Sequence, residues 1–260
     1  MASQIRYFIG NWKMFGIPSS IKILDKINHY FKQDKKNNRK YKVIIAPPYT
    51  LLQDFSYKYK KKKIFICAQN CYYKDNFGAY TGSISPFMIK KTGVSYIIIG
   101  HSENRARGEN DKIIKEKILL CLKNNFNVIF CIGENKNEKK KKMTTKVLKK
   151  QLKSAIEKKH NLRKIVIAYE PVWSIGTGRV PSSYELRKNI ITIKKFIKKH
   201  FKTKHESKIL YGGSVDKKSV YNFKSIKELD GFLIGGASKS SKDFIDIIKN
   251  FYKSLIWRQF

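Results

Sequence analysis

The stretch YIIIGHSENRARGENDKIIKEKILLCLKNNFNVIFCI, Tyr96–Ile132, decides the fold class. It opens with the short apolar run Tyr96–Ile99, passes through a polar loop into the amphipathic segment Asp111–Lys123, and ends in the apolar run Val128–Ile132. Two near-continuous apolar runs joined by a helix-like segment predict parallel strands, with the connecting helix covering one face of their sheet.

The same alternation of strand-like and helix-like sequence continues along the chain. Eight short β-branched runs occur at Arg6–Ile9, Val43–Ala46, Ile64–Cys67, Tyr96–Ile99, Val128–Ile132, Ile165–Ala168, Lys208–Tyr211 and Gly231–Ile234. Helix-like sequence follows each run, most clearly at Ser19–Lys32, Asp111–Lys123, Thr144–Lys158, Ser183–His200 and Ser240–Tyr252.

Eight such units in 260 residues predict an α/β fold and, within that class, a single-domain (β/α)8 barrel formed by residues 1–260. An open doubly wound sheet is the alternative, but no Gly-rich dinucleotide motif opens the first strand–helix turn. The Lys-rich stretch Asn135–Lys142 is the only segment that resembles a linker, and we interpret it as a solvated loop before a helix.

Lysine dominates the charge of the chain. There are 56 Lys and Arg against 19 Asp and Glu, which gives a formal net charge of +37 that would suit a nucleic-acid partner. The lysines are nevertheless scattered over nearly every helix-like segment and over runs such as Lys60–Lys63 and Lys139–Lys142, without interleaved aromatic residues. We therefore expect nucleic-acid binding to be non-specific at most, and interpret the charge as compositional drift.

The remaining composition points to a soluble, cytoplasmic protein. No apolar run approaches the length of a membrane span, and the segment Met1–Gly10 lacks the apolar region of a secretory signal. Cys67, Cys71, Cys121 and Cys131 form neither a C-x-x-C pair nor a zinc-like spacing with histidine. We expect buried free thiols, no metal and no cofactor.

Three ionisable residues follow predicted strands, where barrels of this kind carry their chemistry. Lys13 after the first strand is either a solvated rim lysine or an anion ligand. His101 after the fourth strand is either structural or part of a polar cluster with its neighbours. Glu170 after the sixth strand is either solvated or a base under a mobile lid, because the glycine-containing loop Pro171–Pro181 follows it.

Paired glycines end the last two predicted strands, at Gly212–Gly213 and Gly235–Gly236. Such pairs let the backbone approach a ligand, and their N–H groups can bind an anion. Phosphate sites recur between the seventh and eighth strand–helix loops of barrels. The residues thus predict proton abstraction beside a carbonyl on a phosphorylated substrate, and leave that substrate unnamed.

Six segments resemble the triosephosphate isomerase family, in its order and spacing and over essentially the whole chain. They are GNWKM at Gly10–Met14, GAYTG at Gly78–Gly82, IGHSE at Ile99–Glu103, AYEPVWSIGTG at Ala168–Gly178, YGGSV at Tyr211–Val215 and GGAS at Gly235–Ser238. The resemblance implies a TIM barrel without a cofactor. It also implies interconversion of D-glyceraldehyde 3-phosphate and dihydroxyacetone phosphate through an enediol(ate), in glycolysis and gluconeogenesis.

The resemblance also implies a role for each matching residue. Glu170 would move the proton between two carbons, and His101, as neutral imidazole, would donate to the carbonyl oxygen; this family is a well-known example of such a histidine and of a lid that excludes water. Lys13 and Asn11 would hold the substrate, with Glu103 near Lys13. The remaining implied roles are phosphate binding by the backbone of Gly176, Ser214, Gly235 and Gly236, and latching of the lid by Tyr211 and Ser214.

Three positions depart from the family pattern. Asn104 and Ser83 stand where the family usually has arginine and glutamate, which pair across its dimer interface, so both halves of one ion pair are missing together. Ser174 replaces the usual alanine of the lid, a change that we expect to be tolerated. The long third loop, Gln69–Ser85, inserts into the partner subunit in this family, which predicts a homodimer.

Two other functions compete with this interpretation. Another phosphosugar barrel, such as an epimerase or an indole-glycerol-phosphate enzyme, would share the phosphate glycines, and many of those enzymes need a metal or a different acid–base set. A basic binding protein on an inactive barrel would show salt-sensitive nucleic-acid binding and no catalysis. The presence of Lys13, His101 and Glu170 together argues against the second alternative.

Overall fold

Eight parallel strands form a closed barrel. The computed structural model of the protein describes residues 5–34, 40–60 and 62–253. The strands are β1 (Arg6–Asn11), β2 (Tyr41–Ala46), β3 (Ile64–Ala68), β4 (Tyr96–Ile99), β5 (Asn127–Ile132), β6 (Ile165–Tyr169), β7 (Lys208–Gly213) and β8 (Gly231–Ile234). Each strand pairs in parallel with the next, and β8 pairs with β1. The predicted (β/α)8 barrel is therefore confirmed.

Three interpretations of the sequence extend beyond the described residues. Residues 1–4 of the N-terminal segment and Lys61 of the run Lys60–Lys63 lie outside them. The predicted single domain, 1–260, also includes residues 35–39 and 254–260, which lie outside them too. Within the described ranges, no helix combines the length and the apolar character needed to cross a bilayer.

The described part of the chain contains nine α-helices. They are α1 (Ile21–Gln33), α2 (Leu52–Tyr59), α3 (Pro86–Lys91), α4 (Ser102–Ala106), α5 (Asp111–Lys123), α6 (Lys136–Lys140), α7 (Thr144–Ala155), α8 (Ser183–His200) and α9 (Ser241–Tyr252). In α5, Ile114, Ile118 and Cys121 recur at helical spacing and are fully buried. The helix begins at Asn110, whose side chain accepts a hydrogen bond from the backbone N–H of Ile113 at 3.0 Å.

The prediction that residues 135–142 form a solvated loop is wrong, because they contain the short helix α6. A capping box starts this helix. Glu138 N–H donates to Asn135 Oδ1 at 2.9 Å, and Asn135 N–H donates to Glu138 Oε2 at 2.8 Å. Two reciprocal hydrogen bonds thus order a segment whose lysines had suggested only solvation.

Two other helical predictions need correction. No α-helix lies between β7 and β8, where the described chain forms only the 3₁₀ turn Ser219–Phe223. The Asp216 carboxylate accepts hydrogen bonds from the N–H groups of Lys218 and Ser219, which favours a tight turn there. Helix α7 ends at Ala155 instead of continuing to Lys158.

Side chains alternate between the barrel interior and the layer under the helices. Ile9 and Ala168 belong to the interior cluster, whereas their chain neighbours Phe8, Ile167 and Tyr169 pack outward. Because this alternation has a period of two, Asn11 and Glu170 continue the inward direction beyond Ile9 and Ala168, at the carboxyl ends of β1 and β6. All four cysteines are buried free thiols, as predicted.

Candidate active site

One cavity of about 320 Å³ lies at the carboxyl ends of the strands, where β1, β4, β6, β7 and β8 meet their loops. The structure brings together around it all the predicted catalytic and substrate-binding residues, which are Asn11, Lys13, His101, Glu170, Gly176, Ser214, Gly235 and Gly236. The two predicted supporting residues, Glu103 and Tyr211, lie just outside this lining and contact Lys13 and the lid.

Glu170 presents a buried carboxylate to the cavity. The residue directly follows β6, its backbone N–H donates to Ile132 O at 2.8 Å, and it is only 5% exposed. Its Oε2 is buried and has no hydrogen-bond partner among the described residues. A carboxylate oxygen that no protein donor occupies is free to accept a proton from a molecule bound in the cavity.

Two glycines make room for Glu170. A Cβ atom on Gly212 would lie 2.5 Å from Glu170 Cγ, and a Cβ atom on Gly133 would lie 1.9 Å from the Glu170 carbonyl oxygen. Glu170 can therefore pack directly against both glycines, whereas any larger residue at either position would collide with it.

We expect Gly212→Ala to lower kcat by about 10- to 100-fold, because the added methyl group displaces the Glu170 carboxylate and misplacement of about 1 Å costs that much. Steady-state kinetics at saturating substrate measure the effect, and urea unfolding verifies that the variant is folded. A folded variant with kcat within twofold of the native protein would contradict this role of Gly212.

His101 is held in one orientation by the helix that follows it. The residue caps α4, and its Nδ1 accepts a hydrogen bond from Glu103 N–H at 3.2 Å. In the neutral ring the proton is therefore on Nε2. Nε2 lies 3.7 Å from Glu170 Oε1, too far for a hydrogen bond, so both groups remain available to a molecule in the cavity.

Lys13 sits in a strained but supported loop. Its φ of 57° lies in the left-handed region, its N–H donates to Asn11 Oδ1 at 3.1 Å, and its carbonyl accepts from Gln69 Nε2 at 2.9 Å. Lys13 Nζ donates to Glu103 Oε1 at 2.6 Å. Partial burial of Glu103 acts to raise the pKa of that carboxyl, but the hydrogen bond from Lys13 and nearby positive charges lower it overall.

The lid, residues 171–181, is tied to the end of β7. Ser214 Oγ donates to Ser174 O at 2.7 Å and accepts from Gly178 N–H at 3.0 Å. Tyr211 OH lies 2.9 Å from Ser174 Oγ. Burial, opposed by the hydrogen bond with Ser174, raises the pKa of Tyr211 to about 12, so its phenol stays protonated and able to donate near neutral pH.

A buried carboxylate anchors the start of the lid. Glu134 is fully buried, and burial raises its pKa, although hydrogen bonds from Trp173 and Tyr169 oppose that effect. Trp173 Nε1 donates to Glu134 Oε1 at 2.9 Å, and Asn189 Nδ2 donates to Tyr169 OH at 2.9 Å. This network joins β5, β6 and α8 to the first residues of the lid.

Sequence reasoning missed the roles of Gln69 and Glu134 near the site, and it noted Ser174 only as a tolerated departure from the family. Gln69 and Glu134 follow the ends of β3 and β5, so their strand-end positions were available as a signal. Ser174 has no comparable signal, because its contacts arise only when the lid folds onto β7. Among the described residues, no group of three or more His, Cys, Asp or Glu side chains is placed to hold a metal ion.

Comparisons with known proteins agree with one another. The family model described as triosephosphate isomerase matches residues 6–251. The triosephosphate isomerase of Thermodesulfovibrio yellowstonii is 36% identical over 247 residues, covering 94% of this chain and 98% of that protein. That of Dictyostelium discoideum is 39% identical over 255 residues, with coverage of 96% and 98%. The crystal structure of triosephosphate isomerase from Bartonella henselae superposes with a TM-score of 0.86 at 32% identity, covering 95% of this chain and 99% of that one.

Proposed function

The chain belongs to the triosephosphate isomerase family, and on that basis we propose that Glu170, His101 and Lys13 carry out its reaction. The protein interconverts D-glyceraldehyde 3-phosphate and dihydroxyacetone phosphate, a step of glycolysis and gluconeogenesis.

Glu170 removes the proton from the carbon beside the carbonyl group and returns it to the neighbouring carbon. The buried, unpartnered Oε2 of Glu170 is the single observation that supports this role most strongly, because that oxygen is free to accept a proton from the substrate. His101 Nε2–H donates to the substrate oxygen that becomes negatively charged in the enediolate, since Nδ1 is already occupied by Glu103 N–H.

Lys13 and the glycine turns bind the charged parts of the substrate. Lys13 Nζ supplies a positive charge at the cavity wall, and Asn11 fixes the backbone of Lys13 beside it. The backbone of Gly176, Ser214, Gly235 and Gly236 binds the phosphate group at the other side of the same cavity. The lid covers the enediolate, which would otherwise expel its phosphate into water.

An isomerase assay tests this proposal directly. Glyceraldehyde 3-phosphate is supplied, and formation of dihydroxyacetone phosphate is followed through an NADH-linked dehydrogenase, with and without EDTA. We expect the same activity in both conditions, because none of the proposed roles needs a metal. Loss of activity in EDTA would favour a metal-dependent phosphosugar enzyme instead.

We also infer that the protein acts in the cytoplasm as a one-domain chain and a homodimer. Four large apolar side chains support the dimer: Met14 and Ile17 lie after β1, and Phe77 and Tyr80 lie in the third loop, residues 69–85. Met14 and Phe77 are 98% and 79% exposed in the single chain. Exposed apolar side chains of this size on two loops are typical of a surface that a partner covers.

Sedimentation at micromolar concentration should give twice the chain mass of 30.4 kDa. Phe77→Asp should raise the dissociation constant at least about tenfold, because the interface would then bury an unpaired charge. Tyr184→Asp is the matched control, since Tyr184 is 78% exposed but lies in the first turn of α8 and not in the third loop. A fully active native monomer would contradict the dimer.

A further inference from the structure

Ser174 makes more lid contacts than an alanine could at this position. Its side chain is fully buried although it lies in an exposed loop. Ser174 Oγ donates to Arg179 O at 2.5 Å and lies 2.9 Å from Tyr211 OH. The hydroxyl has only one proton, and the Arg179 carbonyl can only accept, so Tyr211 must be the donor in the second bond.

These two bonds join three separate parts of the structure. The bond to Arg179 connects the beginning of the lid to its end, and the bond from Tyr211 connects the lid to the end of β7. Gly213 leaves the necessary space, because a Cβ atom there would lie 2.4 Å from Tyr211 OH and 2.8 Å from Ser174 Oγ. The contact therefore requires the glycine at the end of β7 as well as the serine in the lid.

We propose that the Ser174 hydroxyl is a positioning residue that stabilises the lid over the active site, by closing the loop onto Arg179 and accepting from Tyr211. This inference rests on the proposed role of the lid and adds a side-chain contact to the latch formed by Tyr211 and Ser214. Its effect is on the equilibrium between lid conformations, because Ser174 itself does not line the cavity.

Loss of the hydroxyl should therefore change KM more than kcat. In Ser174→Ala, the bond to Arg179 O disappears and Tyr211 OH loses its acceptor, which weakens lid closure. Substrate binding must then provide more of the energy of closing, so KM rises about three- to tenfold, the range expected for one or two neutral hydrogen bonds. At saturating substrate the lid still closes, so kcat stays within about twofold.

A second readout separates a lid effect from a loss of stability. An enediolate that is exposed to water expels phosphate, so the phosphate released per isomerisation reports how well the lid seals the site. We expect Ser174→Ala to increase this ratio. The matched control is Ser154→Ala on α7, which removes a half-buried hydroxyl that donates to Gln151 O at 3.1 Å and should change neither KM nor phosphate release.

Tyr211→Phe and the double variant complete the experiment. Tyr211→Phe removes the same hydrogen bond from its other end, so it should shift KM in the same direction, and it remains informative even if Ser174→Ala folds poorly. Because the two changes remove one shared bond, the double variant should be clearly less affected than the product of the single effects.

The inference is overturned if Ser174→Ala has native KM and native phosphate release. It is also overturned if Ser174→Ala lowers the melting temperature but changes neither KM nor phosphate release. Independent, multiplicative effects of Ser174→Ala and Tyr211→Phe would also overturn it. None of these results affects the proposed base, because Glu170→Gln tests that role separately in a protein whose lid is unchanged.

Discussion

Glu170→Gln should reduce kcat by roughly 10²- to 10⁴-fold or more while leaving the fold intact. The amide has the size of the carboxylate but cannot accept a proton from carbon. The buried Oε2 has no partner among the described residues, so exchanging this carboxylate breaks no hydrogen bond at that atom. The NADH-linked assay measures kcat, and thermal unfolding verifies the fold.

Glu206→Gln is the matched control for this experiment. Its carboxylate is 71% exposed and pairs with Lys194 at 3.1 Å, far from the cavity lining. Glu206 is the exposed member of this pair, and Lys194 keeps its second partner, Asp230, so activity and stability should both remain close to native. If Glu170→Gln kept kcat within tenfold, another group would have to be the base.

His101→Asn should reduce kcat by about 10²- to 10³-fold, the loss expected when one donor to a developing oxyanion is removed. Asparagine is chosen because its Oδ1 can still accept from Glu103 N–H and cap α4, whereas its shorter side chain cannot place a donor where Nε2 lies. KM should change less, because the hydrogen bond strengthens as the oxygen becomes negatively charged.

His29→Asn serves as the control for His101→Asn. His29 lies on α1, where its ring bonds to the exposed Gln33 side chain at 2.9 Å and touches no part of the cavity. The control should retain native kinetics. A decrease in kcat of less than about fivefold in His101→Asn would mean that the oxyanion is stabilised by other groups, with Lys13 the first to test.

The barrel could be predicted because each buried parallel strand appears in the sequence as a short apolar run. All eight strands occur where the apolar runs predicted them, and the differences are at their ends; for example, β2 begins at Tyr41 and β7 extends to Gly213. Strand ends depend on register with the neighbouring strand. Gly213 pairs with Ile234 of β8, a partner that no local pattern reveals.

The residues that form the site could be predicted from the sequence, but the hydrogen bonds between them could not. Strand-end positions and the family motifs were sufficient to select Lys13, His101 and Glu170, which the fold places around one cavity. The hydrogen bonds of Ser174 were not predictable, because the one with Tyr211 joins residues distant in sequence, and both depend on how the lid packs. The helix in residues 135–142 was predictable from its Asn–Glu capping box but was obscured by the surrounding lysines.

The pairing of β1 with β8 has a consequence for synthesis of the chain on the ribosome. β1 ends at Asn11, yet its second partner, β8, begins only at Gly231, so one edge of β1 has no neighbour until β8 has also been made. At 5–20 residues per second, translation of the intervening segment takes roughly 10–45 s. During that time an apolar edge strand is open to unwanted pairing. The nascent protein therefore needs protection of that edge, and its barrel can close only after β8 has been translated.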